Sequence, residues 1–182
     1  SFSFAQSSYV NTAFAGIVSV GPDVLPAIRE FCVRAESLTW PLRMMREILR
    51  EDDDAYVDEV CTLLARFDTE YDRNPDPKVQ LLCALEQLKH PKTREAVERF
   101  LEDVHEPARF HAVTTLLVQE DPAVVPALVR ALIREEAVRT KNRIAEGLAV
   151  RGWVVPVELR AAFAEALPYP QHLDTEGRVT RR

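Results

Sequence analysis

The chain has 182 residues, of which 47% are hydrophobic and 29% charged, and its net charge is −6. That composition excludes a disordered chain, and the acidic balance disfavours a general nucleic-acid binder, although a local basic face can exist inside an acidic total. No apolar run reaches the roughly eighteen residues of a membrane span, and the opening SFSFAQSSYVNTAFAGIV lacks the basic leader and continuous apolar core of a retained signal peptide. The start at Ser1 rather than Met fits processing, or excision from a longer polypeptide. Five glycines against twelve prolines suit helices separated by proline-marked turns better than a sheet with glycine-rich loops.

Residues 1–6 read as a loose lead-in, and residues 7–18 set Val10, Phe14 and Ile17 on one apolar stripe, half of a helical pair. Pro22 then starts a helix carrying Val24, Leu25, Ile28, Phe31 and Cys32. The next runs from residue 39 to 50 with Pro41 in its first turn and buries Leu42, Met45, Ile48 and Leu49. The acidic run at 51–54 supplies a cap and favourable charge for a helix striped by Tyr56, Val57, Val60, Leu63, Leu64 and Phe67. Residues 68–76 form the longest polar break, a loop or hinge too short to separate domains.

Pro77 starts a helix with Val79, Leu82, Cys83, Leu85 and Leu88, and Pro91 starts one with Ala96, Val97, Phe100, Leu101 and Val104. The clearest pair follows: Phe110, Ala112, Val113, Leu116 and Leu117, a turn at 119–122, then Val124, Val125, Leu128, Leu132 and Ile133. Residues 137–151 and 156–167 close the series, and residues 168–182 lack periodicity, as expected of a tail or capping strap.

Aligned on their first-helix starts at residues 22, 53, 91, 122 and 156, the units recur at spacings of 31, 38, 31 and 34 residues, one helical hairpin each. Pro26 and Pro126 repeat four residues after Pro22 and Pro122, each followed by alanine and a large aliphatic residue. Asp121, Pro122, Val125, Pro126 and Leu128, echoed by Pro22, Leu25, Pro26 and Ile28, resemble the first helix of a HEAT repeat. Val138-Arg139 resembles the start of the second helix, with Ala108-Arg109 and Val79-Gln80 as weaker versions. The resemblance covers residues 20–167 and implies an all-α chain, a right-handed α-α superhelix (α-solenoid) of HEAT-like hairpins. The whole of 1–182 is then one domain, with a half-repeat at 7–18 and a tail at 168–182. Armadillo units differ mainly by an added short helix.

The same resemblance places the second helices, residues 39–50, 77–88, 107–118 and 137–151, on a concave working face. Arg43, Arg46, Arg109, His111, Arg139 and Arg143 become the candidate partner-binding residues, beside Arg50, Lys78, Lys141 and Arg151. Such a basic-biased series suits an acidic peptide or a phosphate-bearing ligand, Arg offering bidentate geometry. The bland alternative is a solvated face balanced by Glu47, Glu86 and Glu146. Arg109 and Arg139 carry a second expectation from the family, in which the corresponding arginine bonds to an adjacent unit. Trp40 and Trp153 read as packing staples at helix starts or as partner anchors.

Evidence for catalysis or metal binding is thin in the sequence. Cys32, Cys61 and Cys83, an odd set inside apolar helical patterns, read as buried free thiols of a reducing, cytoplasmic compartment. His105-Glu106 resembles one of the His-Glu pairs of HEAT-like deoxyhypusine hydroxylases, which need four, and His90, His111 and His172 do not complete a ligand set by spacing. No phosphate loop or nucleophile motif is present, so no cofactor is assigned. The expected function is a non-catalytic, cytoplasmic scaffold or adaptor that binds a protein or peptide, with homo-oligomers forming through open solenoid ends. The alternatives are a nucleic-acid-binding protein of DNA glycosylase type and a lyase- or chaperone-like HEAT protein.

Overall fold

A computed structural model describes residues 2–181 of the chain, and side chains within residues 11–181; Ser1, Arg182 and the predicted stripe residue Val10 as a side chain lie outside the described residues. The chain is mostly α-helical: α1 (Phe2–Val20), α2 (Leu25–Cys32), α3 (Thr39–Ile48), α4 (Asp53–Leu64), α5 (Asp76–Leu85), α6 (Pro91–Val97), α7 (Glu106–Gln119), α8 (Val125–Arg134), α9 (Val138–Arg151) and α10 (Arg160–Ala166). Two short strands, β1 (Gln171–Leu173) and β2 (Val179–Arg181), follow. The expected lead-in at the N-terminus is instead part of α1, which packs on α3.

The proline pairs shape the first helices more sharply than their periodicity suggests. Gly21–Val24 and Pro122–Val124 are 3-10 turns, and α2 and α8 begin only after them, with Pro26 and Pro126 in their first turns. A proline has no N–H to return to the carbonyl four residues back, so the chain restarts where that donor is not needed. Asp52 caps α4 by accepting the Ala55 amide at 2.9 Å, and Asp121 accepts the Ala123 amide at 2.9 Å.

Helices pair within units (α2 on α3, α4 on α5, α6 on α7, α8 on α9), and the pairs pack side by side. The second helices α3, α5, α7 and α9 touch in series, and so do α4 with α6 and α8 with α10, giving two layers over one apolar cluster that runs from Leu25 to Val179. Ala112, Leu116, Leu128, Ile144 and Leu148 lie at its centre with no exposed surface.

The C-terminal end departs from an all-α chain. β1 and β2 pair antiparallel with Gln171 opposite Arg181 and Leu173 opposite Val179. β2 packs on α9 and β1 on α10. Asp174 accepts the amides of Glu176 and Arg178, and Gly177 turns the chain at φ +87°. A side chain at Gly177 would also strike the Arg160 guanidinium, which donates to the Glu176 and Val155 carbonyls at 2.7 and 3.0 Å.

The polar break at 68–76 is pinned rather than hinged. Lys78, expected on the working face, is fully buried. Its Nζ lies 2.7 Å from both Asp72 and Asp103 and donates to the Asp68 carbonyl at 3.1 Å. Burial works against the ammonium charge, but the bonds to Asp103 and Asp72 outweigh it and raise the pKa of Lys78. His105 accepts the Asp72 amide at 3.0 Å and packs against Tyr71, so it belongs to this loop's architecture, whereas Glu106 turns to Arg139 and Thr140 of α9.

Candidate functional site

The outward side of the second-helix layer holds the predicted binding residues, and most of them are engaged within the chain. Arg43 lies over the rings of Trp40 and Phe14, at 4.9 and 5.8 Å from their centroids. Trp40 meets Phe14 edge-on at 5.9 Å and keeps 41% of its surface exposed, so one ring serves as packing staple and surface feature. Arg46 bonds Asp53 at 2.6 Å and covers the Tyr56 ring. Trp153 is half-buried beneath Arg151.

Arg109 and Arg139 stitch α7 to its neighbours. Arg109 holds Glu135 through two parallel bonds of 2.8 Å and donates to the Asp103 carbonyl at 2.8 Å. Glu135 in turn accepts the amides of Glu136 and Ala137, fixing the entrance to α9. Burial alone would raise the Glu135 pKa; Arg109 and those amides reverse the effect and hold it below the usual carboxylate range. Arg139 reaches back from α9 to Glu106 at 2.5 and 2.7 Å while stacking on Phe110. It holds the Glu106 carboxyl low against partial burial, with help from the Thr140 hydroxyl at 2.6 Å. Gln80 does the corresponding work on α5 without charge, accepting the Leu38 amide and donating to Ser37 and Thr39 at the start of α3. Arg143 donates from Nε to the Thr114 hydroxyl at 3.1 Å. Carboxylates of the chain itself thus neutralise Arg46, Arg109 and Arg139, and the layer differs from a row of unpaired cations.

The packing of α5 on α7 creates a cluster that the sequence reading missed. His111 Nδ1 lies 2.6 Å from Glu86 Oε1, and Cys83, in the last turn of α5, sits three residues before Glu86, the residue that caps the end of that helix. One donor atom from each of the three residues lies within 4.8 Å of the others. Cys83 is exposed, not buried as expected, and Glu86 and His111 are half-buried. Contact with Cys83 and the Glu86 carboxylate favours the imidazolium, and the His111 pKa is raised to about 9 in spite of burial. Burial pushes the Cys32 and Cys61 thiols up to about 11, which favours their protonated form at neutral pH. His111 completes no ligand set by spacing because its partners come from another helix, and no local signal in the sequence brings the three residues together.

On the opposite layer, a groove of about 540 Å³ is lined by Arg94, Arg99, Arg130 and Arg134 interleaved with Glu95, Glu98 and Glu102. Alternating signs there do not form a track for a phosphate backbone. No protein-family model, curated protein or solved structure matches the chain.

Proposed function

We propose that the chain is a HEAT-type right-handed α-α superhelix that acts as a non-catalytic scaffold, binding an extended protein segment across α3, α5, α7 and α9. The observation that carries this reading is the unbroken series of second helices, each packed on the next, whose outer side mixes Arg43, Thr114, Glu146 and the exposed Val150, with the exposed Gln87 in the turn just after α5. A largely polar surface of mixed charge with an exposed apolar residue fits a polypeptide of mixed character better than a polyphosphate chain. The pairing of Arg46, Arg109 and Arg139 within the fold moves the binding role toward Arg43 and Arg143, and toward the surface around His111.

Photo-crosslinking tests the assignment of faces. A benzophenone side chain placed at Gln87, Thr114 or Glu146 should capture one common polypeptide, and the same probe at Glu95 or Arg130 on the first-helix layer should not. Equal capture from both layers, or capture from the first-helix layer alone, would overturn the proposal.

A further inference from the structure

The cluster at the α5–α7 contact has the composition and spacing of a metal site. We propose that Cys83, Glu86 and His111 bind one divalent transition-metal ion of the zinc class, leaving a fourth coordination position open to solvent. The inference is independent of the scaffold reading. Its basis is the convergence of a thiol, an imidazole and a carboxylate from two helices, with donor atoms within 4.8 Å of one another.

Zinc bonds to sulfur, nitrogen and oxygen at about 2.0–2.3 Å in tetrahedral geometry, which sets its ligand atoms roughly 3.3–3.8 Å apart. Donors spread over no more than 4.8 Å reach that spacing by side-chain rotation. Glu86 and His111, now 2.6 Å apart in an ion pair, would move slightly apart as the ion takes the place of the shared proton. The thiolate and carboxylate supply two negative charges, matching the ion's charge.

Donor chemistry selects the class of metal. Calcium and magnesium need several oxygen ligands, and here only Glu86 offers oxygen, whereas thiolate with imidazole suits zinc or cobalt. Access also fits: Cys83 is exposed, so an ion can enter from solvent, and three protein ligands leave room for a water molecule or a partner's donor group. Among the described residues neither Cys32 nor Cys61 belongs to a comparable cluster of donor groups.

Cobalt(II) added alone to the chelator-treated full chain provides the test. The expected result is one equivalent bound, with a thiolate-to-cobalt charge-transfer band in the near ultraviolet and the intense visible bands of a tetrahedral ion, all displaced by Zn²⁺. Cys83→Ser, at an exposed position that keeps the helical circular-dichroism signal, should abolish the charge-transfer band. Glu86→Gln and His111→Ala should each weaken binding by more than the about 10–100-fold that outer-shell changes cost. Absence of the band at stoichiometric cobalt, or its persistence in Cys83→Ser, would overturn the proposal.

Discussion

The two helix layers are joined by similar numbers of polar links of very different kinds. Along the first helices, Arg29–Glu59 links α2 to α4, Lys92–Asp58 links α6 to α4, and Arg94–Asp121 and Arg134–Glu102 link the α6 and α8 regions, and in every pair at least one side chain is substantially exposed. Arg46–Asp53 and Arg139–Glu106 on the second helices are exposed in the same way, but four other links that start there run inward. Lys78 meets a fully buried Asp103, Arg109 meets a Glu135 carboxylate with 3% of its side chain exposed, and Thr115 and Arg151 donate to the Leu82 and Leu117 carbonyls at 2.9 and 2.6 Å. Exposed pairs are screened by water and salt; a buried one, once broken, leaves a charge with no solvent to take over. The buried links of the second helices therefore hold the packing more firmly than the exposed pairs of the first.

Lys78 gives the sharpest way to break the contrast. Lys78→Met keeps much of the side-chain volume but leaves Asp103 buried without its cation and frees the 68–76 loop. Loss of one partner of a buried pair costs about 3–5 kcal/mol. Urea denaturation should show a shift of that size, and a loss below about 1 kcal/mol would mean that Lys78 is no clamp.

Arg109→Met follows, with an expected loss of about 3 kcal/mol at neutral pH because the Glu135 carboxylate stays buried. Its pH dependence has a defined sign. A folded-state pKa held low stabilises the protein above the unfolded carboxylate value of about 4.3, and that contribution disappears as pH falls through the folded pKa. The gap between wild type and variant, read from urea midpoints, should therefore narrow on acidification from neutrality into the range below pH 4. A gap independent of pH would show that Arg109 acts by packing alone.

Gly147→Ala probes the same layer without charge. A methyl group there would stand 2.4 Å from Leu117 Cδ1 and 3.0 Å from its Cγ, and Leu117 is fully buried. Overpacking costs about 1–3 kcal/mol, while the gain in helix propensity is about 1 kcal/mol. The net expectation is destabilisation by up to about 2 kcal/mol; a stabilised variant would show that α7 and α9 can separate freely.

The helical framework was legible because it rests on local signals: apolar stripes at helical spacing and prolines at helix starts. What escaped depended on contacts between units. Lys78 looks like any surface lysine until Asp72 and Asp103 arrive from either side. Cys83, Glu86 and His111 meet only when α5 and α7 pack, and periodicity gave Cys83 to the core although its helix rotates it outward. The hairpin was missed because three-residue strands are too short for alternation to register; the readable signal was the Asp174 to Gly177 turn, with an Asx-type cap and a glycine at positive φ.

The smallest effect belongs to the first-helix layer. Arg134 and Glu102 approach to 2.7 Å, yet their side chains remain 55% and 64% exposed. Water solvates either charge when the other is removed, and holding two long side chains in one geometry costs entropy that offsets much of the attraction. A double-mutant cycle of Arg134→Ala and Glu102→Ala should give a coupling of less than about 1 kcal/mol, shrinking further in high salt. A salt-insensitive coupling above about 2 kcal/mol would place this pair with the buried links of the other layer and remove the distinction between the two.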